Sequence, residues 1–98
     1  MTTLEKVKLA LRITASVFDT ELTGLIDAAI ADLMLAGVQA DLKRDDPLVE
    51  RAVITYCKAN FGEADQYDQL KASYDEQKAQ LMSATGYTDW GDSDAAVR

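Results

Sequence analysis

One cysteine, a C-terminal run of aspartates in DWGDSD and no histidine make up most of what this 98-residue chain could bring to chemistry. Without histidine there is no usual general base, no imidazole metal ligand and no Ser-His or Cys-His pairing. Gly24 and Gly37 stand alone, so no glycine-rich loop is available to cradle a phosphate. Cys57 lies in DPLVERAVITYCKANFGE, residues 46 to 63, which also contains the only proline. At 100° per residue the thiol falls inside an apolar arc of roughly 240°, with Phe61 and Ile54 on one side of it and Val53, Val49, Tyr56, Ala52, Ala59 and Leu48 on the other. Thr55, Arg51 and Lys58 form the polar strip. Burial raises a thiol's pKa and makes it inert, and Cys57 sits late in its helix, far from an activating N-terminus. The expected role of Cys57 is core packing.

The carboxylates give no better site. Asp89, Asp92 and Asp94 lack the 1-3-5 spacing, central glycine and closing glutamate of a calcium loop, so a solvated acidic tail is expected. Asp45 and Asp46 are explained by helix capping, and Asp27 and Asp32 read like solvent-exposed charges. The sequence therefore predicts no catalytic residue, no cofactor and no metal ligand. Tyr87 and Trp90 are the more pointed feature of the tail. Large aromatics in a segment without its own core either anchor an interface or fold back over the body, and both readings stay open. Tyr67 and Tyr74 read as packing along a helix seam.

The elements that would position these residues are helical. Thr2 with Glu5 forms a capping-box pattern for a first helix over about Thr3 to Arg12. Ile13 to Phe18 breaks the pattern, and Asp19 or Thr20 offers the next N-cap. A second helix runs from about Glu21 to Ala36 and closes at Gly37. Leu22, Leu25, Ile26, Ala29, Ile30, Leu33 and Met34 fill one wide face, while Ala28, Ala31 and Leu35 line the opposite side. A short polar connection from Gly37 to Asp45 follows, in which Leu42 and its neighbours could form an extended piece. Asp46 caps the third helix, Pro47 takes its first position and Gly62 closes it. The fourth runs from about Ala64 to Ala84, with a narrow seam of Tyr67, Leu70, Tyr74, Gln77 and Leu81, and Gly86 ends it. The expected fold is all-α: a small bundle of about four helices over residues 1–86, followed by an irregular acidic tail over 87–98.

Composition narrows the function classes. The net charge is −7: residues 1–62 hold nine acidic and seven basic side chains, and residues 63–98 hold eight and three. Phosphate neutralisation needs a cationic surplus that this chain lacks, so a specific DNA reader is disfavoured. No stretch approaches the ~20 apolar residues of a membrane span, and the charged N-terminus does not read as a secretory leader. A reducing cytoplasm is expected, where a lone cysteine needs no disulfide partner. Two helices with apolar arcs wider than the ~100° stripe of a peripheral helix point to self-association, with Ala28, Ala31, Leu35, Ile54 and Phe61 as candidate subunit-interface residues. Tyr87 and Trp90 are the candidate partner-docking residues.

The order of elements also resembles a known group. LEKVKLALRI, a break with acidic residues, ELTGLIDAAIADL, then DPLVERAVITYCKANFGE and a polar helix are similar to the small helical head–tail connector proteins of long-tailed phages and prophages, over about residues 3 to 84. Val7, Leu11, Arg12 and Ile13 in the first element and Pro47, Leu48, Val49, Ala52 and Phe61 in the third carry the likeness. The resemblance implies a virion structural protein that forms a homo-oligomer, a dodecameric ring under the portal. It further implies contact with the portal and with the following head-completion or tail protein, and DNA that passes without specific binding during packaging. The implied location is the head–tail junction of the virion, with the host cytoplasm before assembly. A small acidic helical regulatory or adaptor module that binds a single protein partner is the alternative.

Overall fold

The structure, a computed structural model, describes residues 2–61 and 66–84. Among them lie α1 (Thr3–Leu11), a 3₁₀ turn (Ser16–Phe18), α2 (Asp19–Leu35), α3 (Pro47–Asn60) and α4 (Tyr67–Ser83). The all-α bundle expected from the sequence is the fold observed.

α1 starts with the expected capping box. Thr2 Oγ1 accepts from the Glu5 amide at 3.1 Å, and the Thr2 amide donates to Glu5 Oε1 at 2.9 Å. Its other end is unusual. The Ile13 amide reaches Lys8 O at 2.9 Å and the Arg12 amide reaches Leu9 O at 3.2 Å. That paired closure needs a left-handed residue, which is Arg12 at φ 59°. α2 closes with the same pair of bonds, Val38 to Leu33 and Gly37 to Met34, but there Gly37 takes the positive φ of 95°. A side chain in this conformation costs roughly 1–2 kcal/mol that glycine avoids.

The start of α2 differs from the expected cap. Helix begins at Asp19 itself, because the 3₁₀ turn runs straight into it and Phe18 occupies the cap position without a side-chain bond. The Asp19 carboxylate instead accepts from Lys8 Nζ at 2.7 Å, tying α1 to α2. The connection to α3 is less polar than expected, since Val38 and Ala40 are buried in the core. Leu42 lies in a turn rather than an extended piece, with its amide bonded to Gln39 O at 3.2 Å, and its side chain is exposed. Asp46 caps α3 as expected, Oδ1 accepting from the Leu48 amide at 2.9 Å, and Pro47 takes the first turn. The expected stop at Gly62, the start of the fourth helix at Ala64, its end at Gly86 and the tail fall outside the described residues.

α3 packs between α2 and α4, and α1 lies against α2 and α3. Leu22 and Leu33 of α2, Val49, Ala52, Val53 and Cys57 of α3 and Val7 of α1 are closed to solvent. Burying one such leucine stabilises the fold by about 1.5–3 kcal/mol. The closed part of α3 spans roughly 180°, from Ala59 round to Glu50, narrower than the arc read from the sequence. Leu48 at its first turn is exposed, and Ile54 and Tyr56 are half-buried.

Candidate assembly surface

Of the chemical candidates, Asp89, Asp92 and Asp94 lie outside the described residues, and Cys57 is part of the core. Cys57 is fully closed, and burial pushes its thiol up to about 12, so it has no thiolate at neutral pH. Among the described residues no group of three or more His, Cys, Asp or Glu side chains is gathered to hold a metal.

The polar contacts that matter hold helices together. Glu50, only 8 % exposed, receives Lys6 Nζ at 2.8 and 2.9 Å on its two oxygens, joining α3 to α1. At 100° from Val49 it falls between Cys57 and Phe61, so its place within the apolar arc was a signal of burial, while its partner Lys6, 44 residues away, had none. Asp32 could not be told from a surface charge in the sequence. Its Oδ2 accepts from Tyr74 Oη at 2.6 Å and from Lys78 Nζ at 3.1 Å, bonding α2 to α4. Burial raises the Asp32 carboxyl, but the Tyr74 and Lys78 bonds outweigh it and hold it below its ordinary value. The Tyr74 hydroxyl is pushed up, by burial first and then by the Asp32 carboxylate it donates to. Its ring meets Tyr56 edge-on at 5.2 Å, and Lys78 Nζ stands 5.4 Å from its centroid. The only sequence signal was the i, i+4 spacing of Tyr74 and Lys78. Nothing local linked them to a residue on α2.

What these contacts leave open is a set of apolar surfaces. On α2, Leu22, Ile26, Ala29, Ile30 and Leu33 face the core, while Ala28 and Ala31 are exposed and Leu35 is 88 % exposed. Gly24 shares this face, and apart from its own helix and chain neighbours no described residue comes within 4 Å of where its side chain would begin. Met34 and Leu42 line a shallow groove at its lower end. Of the other two interface candidates, Ile54 and Phe61 are half-buried against this chain's own core. Phe61 also meets Phe18 edge-on at 5.4 Å. The sequence therefore grouped five residues that the fold separates into two places. Tyr87 and Trp90 fall outside the described residues.

A family model described as phage connector protein matches residues 3–88. The chain belongs to the phage connector protein family. Neither the curated proteins nor the solved structures compared with it gave a match. Membership of a structural family assigns the chain a connector role at the phage head–tail junction. No helix among the described residues of this connector is long and apolar enough to cross a membrane.

Proposed function

We propose that this connector works as a homo-oligomeric ring beneath the portal, extending the path of the DNA during packaging and ejection. Its upper face would meet the portal, and its lower face the following head-completion or tail protein. The observation that carries the reading is the outward face of α2. A structural subunit that leaves Ala28, Ala31 and an 88 % exposed Leu35 on one helix has apolar surface for a neighbour to cover. Closed symmetric assembly is the usual way such surface is used. The net charge of −7 supports a channel that repels the phosphate backbone, so DNA slides without being held. Tyr87 and Trp90 are assigned to docking on the portal, as large aromatics in a segment with no apolar periodicity of its own.

Co-purification with the portal protein tests the reading. The full chain is expected to be retained by the portal as a ring visible by electron microscopy, and truncation after Gly86 is expected to weaken retention. A chain that never associates with a portal contradicts the function, and a truncation without effect contradicts the docking role of the tail.

A further inference from the structure

α3 carries a strip of side chains that its own bundle leaves uncovered. Leu48, Arg51, Thr55 and Lys58 fall within about 80° on the helix, and all but the half-buried Thr55 are exposed. The Arg51 and Lys58 side chains make no hydrogen bond or ion pair among the described residues. Lys6, Lys8, Arg44, Lys71 and Lys78, by contrast, each meet a carboxylate within 3.5 Å. The only acid of α3, Glu50, is buried against Lys6 on another side of the helix. The strip is thus a cationic track with an apolar end, on a chain whose net charge is −7.

The described part of the chain ends beside this track. Ala84, its last residue, lines an open groove of about 330 Å³, with Leu48 and Arg51 on the α3 wall and Glu76 and Leu81 on the α4 wall. Residues 85–98 therefore leave from the rim of the groove. They carry Tyr87, Trp90 and three acids, Asp89, Asp92 and Asp94, against one cation, Arg98. Their charge is opposite to that of the α3 track, and Glu76 turns carboxylates away from the α4 wall. The spacing agrees as well. Arg51 and Lys58 are seven residues apart on a helix, about 10 Å. Asp89 and Asp92 are three residues apart, which an extended chain spans in about 10 Å. The five residues from Ala84 to Asp89 reach up to about 17 Å, enough to cross the mouth of the groove, and so short a tether lets individually weak contacts hold.

We infer that in the free subunit residues 85–98 turn back along α3, with Asp89 on Arg51, Asp92 on Lys58 and the Tyr87 and Trp90 rings over the groove at Leu48. The contact does not depend on the ring, and a portal that docks the two aromatics has to draw them out of it. Trp90 is the only tryptophan, so acrylamide quenching of its fluorescence in the full chain reads the contact directly. Without portal protein the parent should be quenched at least threefold more slowly than the double variant Arg51→Glu, Lys58→Glu. The far-UV circular dichroism of that variant should match the parent's, because both side chains are exposed and unpaired. Adding Asp89→Lys and Asp92→Lys to it should restore the shielding. A parent quenched as fast as a free tryptophan derivative overturns the contact, and so does shielding that the charge reversal leaves in place. Portal retention, which reads the ring, takes no part in this test, so the two readings can fail separately.

Discussion

The α2–α3 pair and α4 share one apolar core, and α4 adds a polar tie to it. Between α2 and α3 the contact is dry: Leu22, Leu33, Val49, Ala52, Val53 and Cys57 leave at most 1 % of their surface to solvent. α4 rests on α3 through only two buried side chains, Tyr74 and Leu81, and reaches α2 through the Asp32 carboxylate. Apolar burial is non-directional and fixes the pair as a unit. The polar bonds fix where one further helix lies along it. This division gives an apolar centre and an outer helix whose placement depends on a few named atoms.

The largest effect is expected where the dry contact is cut. Leu33→Ala leaves a cavity at a fully closed position and should destabilise the fold by about 2–5 kcal/mol in urea or thermal melts. A loss no larger than that of an α4 surface variant would break the contrast. Tyr74→Phe keeps the ring and removes the hydroxyl that donates to Asp32. It should cost about 1.5 kcal/mol, held down because the Asp32 side chain is 36 % exposed. Cys57→Ala should cost about 1 kcal/mol and leave assembly intact. A thiol reagent should label native Cys57 only at the rate of unfolding, and rapid labelling of folded protein would contradict its burial.

A pH series sharpens the same comparison with the smallest effect. Asp32 has a folded pKa below its ordinary value of 3.8, so its contribution is fully present above that value. It is lost as pH falls through the lower folded value. The parent should therefore lose stability below about pH 4 more steeply than Tyr74→Phe, in which much of the linkage is gone. Identical acid limbs in the two proteins would show that the bond does little in solution.

The dry half of this contrast was legible in the sequence and the polar half was not. Helical periodicity found the core face of α2, and Asp46-Pro47 marked the start of α3, because both signals are local. The Asp19 cap failed because the carboxylate had a tertiary partner in Lys8. Asp32 could not be told from a surface charge, and Glu50 was not singled out, because their partners, Tyr74 and Lys6, lie more than forty residues away in the chain. The left-handed Arg12 gave no signal at all, since glycine is the residue that marks such a position.

The central claim is that this connector assembles into a closed ring through its exposed helical surfaces. The most direct test is the mass of the species in solution, measured by light scattering over a concentration series with and without portal protein. The account predicts a plateau at one fixed multiple of the 10.7 kDa subunit. A monomer or dimer at every concentration, in both conditions, would contradict it.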